Sequence, residues 1–382
     1  MSDFIFKIQP NIILGSYTTS RLGQYIKEWG SKFMVIIDPI LKQVGTAEKI
    51  TNSLKDRNID FFTFDSVPEG SDTQVISDAL KLAREAHVHG IVAVGGGKAI
   101  NLARAVAVLY NESKEVYDFL DGISPTAAPL PLISVLTTMR DAFVFTDKVP
   151  VIDARSSKVK ILKSQGCICK LVLVDPNLTS TLTENQTASM AIETLCFAIE
   201  AYLSQKSTFF SDMIAEKAIE VLGYAMDGSQ TLTITTPQEV LFSEAGSMAS
   251  LAAACSSTGA GSLISLCVNS RYKISRSLTA SILLPYIIED AAKFRSDRLA
   301  KIARIIRAAP VEASVNDAVT ALAEYVRQHI AKAGLPARLK DLNVTIEQLS
   351  LCAEDASEIE LINNLQRSMT SDDLFELIKT AF

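Results

Sequence analysis

The chain contains no basic run and no arginine-rich stripe, and its 37 Lys and Arg are outnumbered by 43 Asp and Glu, for a net charge of −6. That balance excludes a phosphate-tracking surface, so nucleic acid is not an expected partner. No apolar stretch approaches the roughly 18 residues of a membrane span, and the start, MSDFIFKIQ, lacks a basic-then-apolar signal pattern. A cytoplasmic protein with no membrane partner is the expectation. The six cysteines are scattered. Only Cys167 and Cys169 are close, at a spacing that fits neither a CxxC redox site nor a zinc knuckle, so they read as reduced packing residues. There is one tryptophan, Trp29, read as a packing residue at the end of the first helix.

What is present begins with length. At 382 residues the chain is too long for one ordinary core, and 48% hydrophobic with 21% charged residues suits a globular protein with a generous interior. The stretch from His89 to Tyr110, HGIVAVGGGKAINLARAVAVLY, organises the rest: a short buried strand, the glycines Gly95, Gly96 and Gly97, then a helix with few polar residues. Strand, glycine turn and helix in that order present backbone N–H groups at a helix N-terminus, where they can hold a phosphate. The alternative is that the glycines only let the helix pack closely on the sheet.

The first half alternates the two periodicities. Strands are expected at 32–38, 59–65, 91–95, 129–136 and 170–175, with helices over 42–57 and 73–86. That order implies a parallel sheet covered on both faces, and VFTDKVPVID with SSKVKILKS reads as an inserted hairpin. After Pro176 the pattern is helical, over 183–205, 209–227, 237–256, 278–292, 297–307, 313–333 and 370–381. The expected organisation is an α/β Rossmann-like domain at 1–180 and an all-α domain at 181–382.

These motifs resemble a known family. IVAVGGGKAINLARAVA is similar to the GGGSxxDxAK nucleotide loop of the iron-containing alcohol dehydrogenases, which have the dehydroquinate synthase-like fold. KLVLVDPNLTSTLTENQTASMAIETLCFAIEAYLS, SDMIAEKAIEVL, ASILLPYIIE and SMTSDDLFELIKTAF resemble further family segments in the same order. The resemblance implies NAD or NADP as cofactor, hydride transfer between an alcohol and an aldehyde, and a homodimer. FIFKIQ at 4–9 alternates enough to pair with a neighbouring copy's sheet edge.

The departures bear on function. Family enzymes hold a divalent metal with one Asp and three His, and the metal polarises the reacting oxygen. Those positions fall on Glu193, Phe197, Ile264 and Arg276. Of the chain's three histidines, His87 and His89 flank the glycine strand and His329 lies late in a helix. None is placed to replace a lost ligand, and a guanidinium is not a neutral ligand, so no metal is expected. Arg276 is read either as an internal partner of Glu193 or as a solvated residue.

On the cofactor side Asp38 suits a ribose 2′-OH or, equally, a helix N-cap, and Thr137 and Thr138 match the family's PTT. The following loop, Arg140 to Val144, replaces GTGSE with bulk at Phe143 and Val144, along the cofactor's expected path. Lys98 and Asn101 replace Ser and Asp, and Arg104 replaces Lys. With spacing i, i+3 and i+6, Lys98, Asn101 and Arg104 read as a helix face that attracts an anion.

Three functions follow. One is a non-catalytic or repurposed relative that binds a small molecule, a dinucleotide or a partner. The second is a metal-independent NAD(P) oxidoreductase, with Lys98 or Arg276 as the acid. The third is an anion- or nucleotide-binding enzyme of another type. Glu200 is expected to be structural, and Ser256, Ser257 and Ser262 have no histidine to activate them.

Overall fold

The computed structural model describes residues 10–67, 71–166, 168–228 and 236–382. FIFKIQ at 4–9, expected to form a pairing edge, and Cys167 lie outside the described residues. The described residues divide into two compact units, one ending at Thr181 and one running from Leu182 to Phe382.

The first unit is built on six parallel strands: β1 (Asn11–Leu14), β2 (Lys32–Ile37), β3 (Asp60–Phe64), β4 (Gly90–Gly95), β5 (Leu132–Leu136) and β8 (Cys169–Val174). Their order across the sheet is β1-β8-β5-β4-β2-β3. The central strands β4 and β5 are buried along their whole length because both faces are covered. Val35, Ile37, Val92, Val94, Ile133, Val135, Leu171 and Leu173 share one buried cluster with Leu22, Ile26, Ile50 and Leu54. Those last four come from α1 (Leu22–Ile26) and α3 (Thr46–Lys55). The expected helix over 42–57 is in fact two, α2 (Ile40–Gln43) and α3, because Gly45 between them takes a left-handed φ of 73°. α4 (Thr73–Glu85), capped by Asp72, packs on α5 (Gly97–Leu109), and α6 (Val116–Leu120) follows. Every residue of α5 from Ala99 to Leu109 is buried, which explains its weak amphipathic pattern. The inserted hairpin is present as antiparallel β6 (Lys148–Asp153) and β7 (Lys158–Lys163).

The second unit is helical among its described residues. α7 (Glu184–Leu203) and α8 (Phe209–Asp227) start at Thr183 and Thr208, each with a reciprocal capping box. α9 (Gln238–Cys255), α10 (Ala260–Tyr272) and α11 (Arg276–Ile305) follow, then α12 (Val315–Lys332), α13 (Ile346–Glu358) and α14 (Ser371–Ala381). The separate helices expected at 278–292 and 297–307 are one run broken at Arg295, whose φ of −138° and ψ of 32° are non-helical. Two helices were not foreseen. α10 is buried nearly all round and rich in Ser, so no apolar stripe marks it. α13 did carry a signal, the Thr345/Gln348 capping box. No single described helix is long and apolar enough to cross a membrane.

Candidate functional site

In the first unit the chain runs from β2 outward to β3 and returns to the other side of β2 as β4. Such a reversal leaves a crevice beyond the carboxyl ends of the two strands, the usual ligand position in parallel sheets. Asp38 directly follows β2 and Gly95 ends β4, and the Asp38 N–H donates to the Val94 carbonyl at 3.0 Å, so the two termini are fastened side by side. Gly95 has φ +154°, and a Cβ there would stand 2.9 Å from the Ala99 Cβ and 3.1 Å from the Asp38 Cβ. At Gly96 a Cβ would meet Thr138 Cγ2 at 3.0 Å. Gly96 is the N-cap of α5 and supplies no side-chain cap, so the first N–H groups of the helix receive no side-chain acceptor from the cap.

Thr137 and Thr138 close the same turn. The Thr137 N–H donates to the Gly95 carbonyl at 3.1 Å, and the Thr138 hydroxyl donates to the Arg140 carbonyl at 3.0 Å. Asp38 is half-buried and accepts from the Ile40 N–H at 3.3 Å, but the N-cap of α2 is Pro39 rather than Asp38. Lys98 is half-buried at the second residue of α5.

The anion-attracting face expected of Lys98, Asn101 and Arg104 needs correction. Asn101 is 5% exposed and Arg104 is fully buried. The Arg104 guanidinium donates from Nη2 to the Thr146 carbonyl at 2.8 Å and from Nη1 to Asn101 Oδ1 at 3.3 Å. The reason is enclosure: every residue of α5 from Ala99 to Leu109 is buried, so a shared helix face does not make Asn101 and Arg104 accessible. Phe143 and Val144 are buried, at 3% and 0% exposed. The turn that holds them is pinned by the Phe143 N–H donating to Asp141 Oδ1 at 2.8 Å.

In the second unit α7, α10 and α11 pack on one another and carry the positions that resemble the family's metal ligands. Glu193 on α7 is half-buried, and its Oε2 accepts from the Ser277 hydroxyl at 2.8 Å. One turn on, Phe197 is 2% exposed; Ile264 on α10 is fully buried. Arg276 is the first residue of α11, half-buried, immediately before the serine that binds Glu193. Among the described residues, no group of three or more His, Cys, Asp or Glu side chains is placed to hold a metal ion.

Glu200, one helical turn beyond Phe197 on the same α-helix, has the structural role expected of it. It accepts from the N–H groups of Gly259, Gly261 and Ser262 at 2.8, 2.7 and 3.2 Å and from the Ser262 hydroxyl at 2.5 Å. It thereby caps α10, which begins after a sharp bend from α9. Gly259 is required there, since a Cβ would lie 2.7 Å from the Glu200 carboxyl carbon. Burial pushes the carboxyl above its ordinary range, and the four donors pull the other way.

The chain matches the family model described as iron-containing alcohol dehydrogenase over residues 9–176 and the C-terminal model of that family over 187–382. It is 23% identical over 376 residues to the lactaldehyde reductase of Escherichia coli K12, covering 96% of this chain and 97% of the relative. It is also 23% identical over 383 residues to the NAD-dependent methanol dehydrogenase of Bacillus methanolicus, covering 98% and 99%. Among solved structures, the alcohol dehydrogenase of Oenococcus oeni superposes with a TM-score of 0.91 at 22% identity over the full length of both chains. A 1,3-propanediol oxidoreductase superposes at 0.90 with 22% identity, covering 99% of this chain and 100% of the other. The fold is the dehydroquinate synthase-like one, and the chain belongs to the iron-containing alcohol dehydrogenase family.

Proposed function

We propose that this protein is a dinucleotide-binding member of the family that has given up metal-dependent alcohol oxidation and serves a binding or assembly role. The observation that carries the reading is the pair Phe197 and Ile264. Each lies where the family resemblance puts an imidazole ligand, each is buried, and neither has a donor atom. Glu193 is engaged by Ser277, and a guanidinium at Arg276 repels a cation. A divalent ion does not fit this residue set.

A nicotinamide dinucleotide does fit. The diphosphate would lie on the first N–H groups of α5 across Gly95, Gly96 and Gly97, with Thr137 and Thr138 beside it. Asp38 would accept from a ribose hydroxyl, which supports NAD over NADP, as does the NAD-dependent methanol dehydrogenase among the relatives. When bound, such a cofactor would supply a hydride acceptor or donor, and the glycine turn, Asp38, Thr137 and Thr138 would bind and orient it.

The test is one set of measurements on purified protein. After loading with Fe²⁺ or Zn²⁺ and desalting, elemental analysis is expected to find no stoichiometric metal. NAD is expected to raise the melting temperature, and simple alcohols are expected to be left unoxidised. Retained metal with alcohol turnover would refute the proposal. A second reading, metal-independent reduction of an aldehyde or keto acid with Lys98 or Arg276 as the acid, is favoured by the half-buried Lys98 on the first turn of α5. Consumption of NADH with such a carbonyl, by metal-free protein, would select it.

A further inference from the structure

Arg104 is the largest fully buried side chain described, and the hydrogen bonds its guanidinium donates go to neutral groups. The guanidinium donates to an amide oxygen, Asn101 Oδ1, and to the carbonyl and hydroxyl of Thr146. Its Nε has no acceptor among the described residues. A dry guanidinium bonded only to neutral groups is costly, because a buried charge is ordinarily balanced by an opposite one. The side chain reaches back along α5 to Asn101, four residues after the helix starts at Gly97. At 1.5 Å of rise per residue that sets the positive charge within about 10 Å of the first turn, behind its N–H groups. The family resemblance places an Asp at Asn101, which would cancel the charge.

We propose that the Asn101–Arg104 pair is an electrostatic backing for an anion seated on the glycine turn. The neutrally bonded charge adds to the positive end of α5 and favours a diphosphate, the anionic part of a dinucleotide or of ADP, over an uncharged nucleoside. Asn101 matters because it is neutral: it holds the guanidinium without quenching it. The inference rests on the dinucleotide reading above and assigns Arg104 and Asn101 as positioning residues that touch no ligand.

The deciding variant is Asn101→Asp, measured at low salt by calorimetric titration with ADP, NAD and adenosine. The new carboxylate pairs with Arg104, so the denaturation midpoint is expected to rise while ADP affinity falls at least tenfold, about 1.4 kcal/mol. Adenosine binding is expected to stay unchanged. A merely structural pair would shift stability without separating ADP from adenosine. Arg104→Lys keeps the charge and should keep the ADP preference, whereas Arg104→Met should lose it. Equal ADP affinity in the parent and Asn101→Asp would overturn the backing and leave the dinucleotide reading standing. If the parent protein binds neither NAD nor ADP, both fall together.

Discussion

Replacing Glu200 by Gln tests whether four hydrogen bonds outweigh the burial of a charge. In the protein, Oε1 accepts from Gly261 and Ser262 N–H groups and Oε2 accepts from the Gly259 N–H and the Ser262 hydroxyl. Gln keeps one acceptor oxygen and puts an NH₂ where the other stood. The Ser262 hydroxyl can rotate to accept from that NH₂, but the Gly259 N–H is left facing a donor. An unsatisfied buried N–H costs about 1–3 kcal/mol, and the two surviving bonds weaken as their acceptor loses its charge. Against this, the substitution removes a carboxylate that burial already pushes toward its neutral form. The bonds should win by about 2 kcal/mol. With a urea slope of about 1–3 kcal/mol per molar, the unfolding midpoint of the helical unit should fall by about 1 M. Far-ultraviolet circular dichroism follows that unit. Trp29 does not, because it lies in the other one. A midpoint for Glu200→Gln equal to or above that of the parent would refute the reasoning and leave the acidic side chain at the α9–α10 bend without a structural explanation.

Gly95→Ala forces a Cβ to within 2.9 Å of Ala99 Cβ at a φ of +154°. A stability loss of about 1–3 kcal/mol and disappearance of any NAD-induced melting shift are expected by thermal denaturation. Phe197→Ala should cost about 3–5 kcal/mol in urea unfolding, since the ring is buried; a loss below 1 kcal/mol would mean that the ring borders open space rather than filling it. Acid should loosen the hairpin. Hydrogen bonds from the Arg155 guanidinium, at 2.8 Å from Oδ2, hold the Asp153 carboxyl at about 2 instead of 3.8. A depressed carboxyl stabilises the fold above its unfolded value and loses that contribution as pH falls through the folded one. Stability should therefore drop between about pH 4 and pH 2, and Asp153→Asn should flatten that part of the acid-unfolding curve.

Much of the architecture was legible because it follows from local periodicity. Apolar runs such as FMVII, IVAV and LVLV, separated by helical patterns, leave a covered parallel sheet as the economical arrangement. The capping pairs Thr183/Gln186 and Thr370/Asp373 mark helix starts by chemistry that needs no tertiary partner. Where the pattern misled, enclosure was the cause. α10 has no polar face to reveal its period, and α5 has none either, so spacing alone suggested that Asn101 and Arg104 were available to a ligand.

The sequence by itself determined the family and the order of elements, and it showed that side chains without donor atoms stand at two positions that resemble its metal ligands. Tertiary structure decided the rest. Only the folded chain brings Asp38 to the side of Gly95, puts Ser277 on Glu193, gathers three N–H groups and a hydroxyl onto Glu200, and encloses Arg104 with neutral partners. Residue type fixes which atoms a side chain can offer, whereas the balance between desolvation and hydrogen bonding depends on neighbours distant in the chain.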